Sequence, residues 1–274
     1  MTPDEILKIA KLAISLNVSR IKLTGGEPLF REDILEIVEG IGKLQGLTDL
    51  SMTTNGAFLE PVAEDLRTHG LNRVNITLPT LNPDIYSTLM GGNLPDVLRG
   101  IEAAVKVELN PVKINMLVLA KINDNEILEM IQFANRNGAL LQLIELEPLN
   151  LSDIYYKEYH YSLSQFENEF SKQALHVDVR RDMQNRKIYH LPDGVVEVIH
   201  PIENTEFCAH CTRLRLTSDG KLKPCLMLNS NLVDILTPLR NGATEQQLKE
   251  LFMETCRKRV PFYKAALSQS APST

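Results

Sequence analysis

Residues 19–44 read SRIKLTGGEPLFREDILEIVEGIGKL, and how they are parsed decides the fold. SRIKLT (19–24) is a short run of apolar and β-compatible residues, Gly25-Gly26 interrupts it, and REDILEIVEGIGKL (31–44) carries its apolar residues at helical spacing. The stretch is therefore one strand–turn–helix unit, and the same unit recurs along the chain. LTDLSMT (47–53), RVNITL (73–78), VKINMLVL (112–119) and LLQLIEL (140–146) read as further strands. PDEILKIAKLAISL precedes the first strand, and EPVAEDLRTHG, LPDVLRGIEAAVKVE and DNEILEMIQFANRNG supply the helices between the others. Strands alternating with helices of this length predict βαβ units around a parallel sheet, an α/β class.

Polar residues gather in the turns that follow the strands: Thr24-Gly25-Gly26-Glu27, Thr53-Thr54-Asn55-Gly56, Thr77, Asn115, and Glu145 with Glu147. Loops at the C-terminal ends of parallel strands build the active sites of β/α barrels. Gly, Thr and Asn also end strands for purely local reasons. That explanation does not cover Lys22, Asn75, Thr77 and Asn115, which lie inside predicted strands. Lys22 and Lys113 sit among apolar neighbours, where a charge calls for a partner.

The 274 residues suit one large domain or two unequal ones, with 43% hydrophobic and 23% charged residues, as in ordinary globular proteins. A formal charge of −6 argues against nucleic acid as a partner, while leaving room for a basic cleft that takes a small anion. No apolar run is long enough to span a bilayer, and the early acids of MTPDEILKIAKLAI make a poor secretory signal. From about residue 150 the pattern changes. A helix is expected over 162–173, and KIYHLP and VVEVIH read as a strand pair turned at Asp193-Gly194. A cysteine segment follows, then an amphipathic helix over 244–259. The small, polar residues 264–274 are expected to form a flexible tail.

The cysteine segment is FCAHCTRLRLTSDGKLKPCL (207–226). Cys208, Cys211 and Cys225, folded back by the turn Ser218-Asp219-Gly220, can converge on one metal centre, and soft sulfur ligands suit zinc or an iron–sulfur cluster. A closed zinc site needs a fourth ligand, for which His210 and Cys256 are the candidates. A four-iron cluster on three cysteines instead leaves one iron open to substrate. Arg213 and Arg215 alternate on one strand face beside it, a geometry suited to gripping phosphate.

TGGEP (24–28), TTNG (53–56) and CxxCxRLRLTSDGKLKPCL (208–226) together resemble the MoaA-type GTP 3′,8-cyclases, radical S-adenosylmethionine enzymes of molybdenum cofactor biosynthesis. The likeness runs from about residue 2 to residue 263. It implies an incomplete, TIM-like β/α barrel of the radical S-adenosylmethionine type over residues 1–150. A C-terminal extension (151–263) would then carry an auxiliary [4Fe-4S] cluster on Cys208, Cys211 and Cys225 and the GTP site. By the same resemblance, Lys22 and Lys113 reach the triphosphate, Thr53 lies beside GTP, Arg213, Leu214 and Arg215 form a GTP-contacting stretch, and Gly26 and Thr77 contact S-adenosylmethionine. The implied reaction cleaves S-adenosylmethionine reductively, abstracts the ribose 3′ hydrogen of GTP and joins that carbon to C8 of guanine, opening molybdopterin synthesis. Implied partners are a flavodoxin- or ferredoxin-like electron donor, the next pathway enzyme (cyclic pyranopterin synthase) and a second copy in a homodimer, all in the cytoplasm and without a membrane.

The resemblance has gaps. The first barrel strand and the CxxxCxxC that would hold a second [4Fe-4S] cluster are not in this sequence, nor is a GTP-contacting arginine expected near them. The expectation is a truncated product of a complete enzyme, inactive as written. Its alternatives are a nucleotide- and zinc-binding remnant, or another radical enzyme with an auxiliary cluster. Pro79 replaces an acidic residue common in relatives, and Glu147 takes the approximate place of a cofactor-contacting methionine. No single catalytic residue is singled out.

Overall fold

The computed structural model describes residues 1–148, 153–181, 183–200 and 204–260. Residues 264–274, the expected tail, lie outside them. The first helix, α1 (Pro3–Ser15), begins in a capping box: the Glu5 amide donates to the Thr2 hydroxyl, and the Thr2 amide donates to the Glu5 carboxylate. The predicted strands then follow as β1 (Arg20–Leu23), β2 (Asp49–Thr54), β3 (Arg73–Thr77), β4 (Lys113–Val118) and β5 (Leu140–Glu145). Between them lie α2 (Ile34–Gly42), α3 (Ala63–Thr68), α4 (Pro83–Met90), α5 (Leu94–Lys106) and α6 (Ile127–Arg136). The five strands pair in chain order and in parallel.

The sheet does not end at β5. After α7 (Asp153–Tyr159) and α8 (Ser164–Gln173) come β6 (His176–Arg180), β7 (Arg186–Leu191) and β8 (Gly194–Ile199). β8 pairs in parallel with β5, and β7 and β6 extend the edge as antiparallel strands. The strand pair read from the sequence is thus an antiparallel hairpin, and its second arm completes the main sheet.

One face of this sheet is apolar. Leu50, Met52, Val74, Ile76, Ile114, Met116, Leu141, Leu143, Val196 and Val198 are buried in a single core with residues of α2 to α6. Because side chains alternate along a strand, the intervening positions project to the opposite face. There the register sets Lys22 beside Ser51, Thr53 beside Asn75, Asn75 beside Lys113, Asn115 beside Gln142, and Gln142 beside Glu197. The concave face is a polar ladder, which an apolar barrel filling would not produce. Loop positions are set with similar tightness. Gly100 of α5 packs so closely on the TTNG turn that an added Cβ would overlap the Gly56 carbonyl.

The C-terminal part is α9 (Thr205–Ala209), β9 (Arg215–Leu216), β10 (Lys221–Lys223), β11 (Val233–Asp234), α10 (Leu236–Arg240) and α11 (Glu245–Arg257). The three short strands form a small antiparallel sheet. With α1 and α11 it builds a second core of Ile9, Leu12, Leu222, Val233, Ile235, Leu248 and Phe252. An ion pair of Arg240 with Glu5 at 2.7 Å adds to this seam. Docking on α1, which leads into edge strand β1, holds the cysteine segment over the polar ladder.

Candidate active site

A cavity of about 510 Å³ lies between the polar sheet face and the C-terminal segment, within the roughly 300–1,000 Å³ of small-molecule and cofactor sites. Its floor comes from β1 to β5 through Lys22, Thr53, Arg73, Asn75, Lys113, Asn115 and Gln142. The roof comes from Cys208, Cys211, Arg213, Arg215, Cys225 and Arg259. Arg180 and Arg186, from the β6–β7 hairpin, close one side.

Basic side chains dominate the wall. Lys22, Arg73, Lys113, Arg180, Arg186, Arg213, Arg215 and Arg259 line it against the acids Glu145 and Glu147. Two further carboxylates stand behind the wall. Asp49 takes a two-pronged bond from Arg73, at 2.8 and 2.6 Å. Glu197, with 0% exposure, receives Lys113, Gln142 Nε2 at 2.6 Å, Arg180 at 3.4 Å and Arg186 at 3.7 Å. Cations remain in excess. Lys22 has, among the described residues, only the neutral Asn75 Oδ1, at 2.7 Å. Among the described residues neither Arg213 nor Arg215 forms an ion pair, and the Nε of buried Arg186 has no hydrogen-bond partner.

The protonation equilibria record this imbalance. Crowding by protein atoms, then repulsion from Arg73, Arg213, Lys113 and Arg186, pulls Lys22 down to about 7. Lys22 itself is exposed at the cavity floor, and among the described residues no carboxylate pairs with it. Burial and the nearby Arg213 guanidinium draw Arg186 down to about 9 despite Glu197. Burial likewise lowers Arg213 and Arg215, each with the other or a neighbouring guanidinium adding to the effect. Burial pushes Glu197 up, but Lys113, Arg186 and Arg180 outweigh it and hold the carboxyl at about 2. Burial raises Glu147 above the usual carboxylate range against the pull of Arg215, Arg186 and Arg213. A cavity of this charge is built to receive an anion.

The structure brings eight of the sequence-predicted residues onto this one cavity: Lys22, Thr53, Lys113, Cys208, Cys211, Arg213, Arg215 and Cys225. Three others lie off its wall. The Leu214 side chain turns the opposite way into the second core, as alternation with Arg213 and Arg215 requires. Thr77 is on β3 two residues beyond Asn75, on the same face of the sheet. Gly26 is exposed in the turn after β1, with open space where side chains at it and at Gly25 would be. That turn is tied to its neighbour by Glu27, whose carboxylate accepts from the Thr54 hydroxyl at 2.7 Å and the Asn55 amide at 2.6 Å.

Neither candidate for a fourth zinc ligand is in place. Cys256 is exposed on α11, and His210 is exposed with Nδ1 beside its own helix carbonyl, that of Glu206, at 3.0 Å. Among the described residues no three His, Cys, Asp or Glu side chains converge closely enough to hold a single ion. Cys208, Cys211 and Cys225 nonetheless line one cavity wall, and soft thiolate donors are of the kind that can hold zinc or an iron–sulfur cluster. The residues missed from sequence were Arg73, Arg180, Gln184, Arg186, Glu197 and Arg259. Lys113 in a strand signalled that a partner existed, but nothing signalled Glu197 as that partner, 84 residues away.

Residues 1–134 match the Radical SAM superfamily model, which places this mostly parallel sheet and its glycine turn in the radical S-adenosylmethionine class, and residues 139–265 match the model described as Molybdenum Cofactor Synthesis C. Among solved structures, Streptococcus suis SuiB bound to S-adenosylmethionine is similar at TM-score 0.64, with 18% identity over 86% of this chain and 57% of that one. Native anSMEcpe with bound AdoMet and Kp18Cys peptide gives 0.57, with 18% identity over 83% and 66%. Probable GTP 3′,8-cyclases are much nearer in sequence. That of Methanothermobacter marburgensis is 46% identical over 97% of this chain and 87% of its own length, and that of Thermococcus kodakarensis 45% over 96% and 87%. The chain belongs to the GTP 3′,8-cyclase family.

Proposed function

We propose that the cavity binds GTP against an auxiliary [4Fe-4S] cluster, and that the complete enzyme cyclises the bound nucleotide in the first step of molybdenum cofactor synthesis. The observation that carries this reading is a surplus of enclosed guanidinium and ammonium groups facing three thiols. Cys208, Cys211 and Cys225 hold the cluster and leave one iron for the purine. Arg213 and Arg215 stand beside it with no carboxylate of their own among the described residues, free to take phosphate oxygens in two-pronged bonds. Lys22 and Lys113 meet the triphosphate from the floor, which Thr53 also lines. Any contact made by Leu214 runs through its backbone, because its side chain is in the second core.

S-adenosylmethionine, when bound and reduced, supplies the radical chemistry. The chain's part is to hold it at the C-terminal end of the sheet. Gly25 and Gly26 leave the turn open for close backbone approach, Thr77 faces the same side, and Glu27 fixes the turn against the β2 loop. No cysteine precedes Cys208 in these 274 residues, so they hold no ligand set for a radical-initiating cluster, and the expected outcome is no GTP turnover by this polypeptide alone.

Anaerobic reconstitution tests the binding half independently of turnover. Iron analysis of the full chain is expected to give about four irons, lost in Cys225→Ala and retained in Cys256→Ala, with GTP binding measured by calorimetry. One zinc without iron, or iron without GTP binding, overturns the reading.

A further inference from the structure

Of the three thiols, Cys211 has surroundings built from two distant parts of the chain. Gln184, in the loop between β6 and β7, is buried and adopts a left-handed backbone conformation at φ 66°, costly for a residue other than glycine. Its amide nitrogen is tied to the His210 carbonyl at 3.1 Å, next to Cys211. Its side chain has two fixed ends. Oε1 accepts from Arg186, and Nε2 donates to the Cys211 sulfur at 3.6 Å.

Arg259, just beyond α11, approaches the same sulfur from another side. Its Nη1 donates to the Cys211 carbonyl, and its Nη2 donates to the Arg213 carbonyl and to that of Pro224 at 3.2 Å. Nε also reaches Pro224, at 3.3 Å, and Nη2 lies 3.8 Å from the Cys211 sulfur. One guanidinium thereby joins the segment carrying Cys211 to the residue before Cys225. Two buried or half-buried donors aimed at a thiol exceed what a small apolar cysteine needs.

We propose that Gln184 and Arg259 are positioning residues for the cluster, which donate hydrogen bonds to the Cys211 sulfur and so raise the cluster's reduction potential. Hydrogen bonds to a ligating sulfur stabilise the reduced, more negative state, and outer-shell donors also fix the ligand's orientation. The Arg259 fork adds a mechanical role by holding the two cysteine-bearing loops at a set separation.

This inference rests on the cluster reading above, and iron analysis separates the two failures. Absence of iron from the reconstituted wild-type chain would sink the cluster reading itself. With iron present, potentiometric titration followed by electron paramagnetic resonance is run on wild type, Gln184→Glu, Arg259→Lys and the double variant. Gln184→Glu keeps the acceptor for Arg186 and removes the donor. Arg259→Lys keeps the charge and removes the fork. Both single variants are expected to load iron and to shift the potential negative with an altered spectrum, and the double variant to shift furthest. Loss of iron from Arg259→Lys, with unchanged melting of the iron-free chain, would also support the positioning role. Iron-replete variants with wild-type potentials and spectra would overturn it.

Discussion

Replacing Glu197 by glutamine tests how the cationic wall is held together. The carboxylate is wholly enclosed and is the shared counter-charge of Lys113, Arg180 and Arg186, with Gln142 Nε2 donating to it at 2.6 Å. Removing one member of a buried ion pair costs about 3–5 kcal/mol, because the charge left behind stays enclosed. Arg180 is about a quarter exposed and can turn to water, whereas Lys113 and Arg186 cannot, so the loss falls toward the lower end, about 3 kcal/mol. The titration gives a second route. Glu197 falls from its ordinary 4.5 to about 2, and at about 1.36 kcal/mol per pH unit that is again about 3 kcal/mol. Because its folded value is depressed, this stability is fully present above pH 4.5 and fades as the pH falls toward 2. At pH 7 the variant is expected to melt about 6–12 °C below wild type, at about 2–4 °C per kcal/mol for a chain of this size. The gap should narrow as the pH rises into the alkaline range, because burial draws Lys113 below the ordinary lysine value. Lys113→Met should cost less, because Glu197 keeps Arg180, Arg186 and Gln142. Differential scanning fluorimetry across pH reads both variants. A Glu197→Gln melt within 2 °C of wild type at pH 7 would refute the account, as would a larger loss in Lys113→Met.

Two further predictions concern binding. At pH 8 a lysine titrating at about 7 is charged in only about a tenth of molecules, so an arriving triphosphate should draw about one proton into the complex and far less at pH 6. Calorimetry in two buffers of different ionisation heat would detect this uptake, and Lys22→Met should abolish it; buffer-independent heats in wild type would contradict it. Glu27→Gln should weaken S-adenosylmethionine binding about tenfold by slackening the turn it ties to Thr54 and Asn55, a charge-assisted tie of about 1.5–3 kcal/mol. Equilibrium dialysis checks that prediction, with GTP affinity near wild type as its control.

Much of this protein was legible before folding. Each of the five parallel strands declared itself by a β-compatible run between helical spacings, because such periodicity is local. The three thiols and the alternating arginines announced soft-metal and phosphate chemistry, because a side chain's donor type belongs to the residue. Strand alternation even implied that Arg213 and Arg215 share a face, although only packing revealed that Leu214 serves a second core with α1 and α11. Other features required the tertiary structure. An Asp-Gly signal predicted a hairpin over β7 and β8, yet no local pattern says that β8 joins β5 and so sets Glu197 opposite Lys113. Arg73, Arg180, Arg186 and Arg259 look like surface charges in sequence and become one electrostatic wall only when distant elements meet. Residue type and local spacing are carried by the chain itself, whereas the choice of partner for each buried charge depends on strand register and on contacts tens of residues apart.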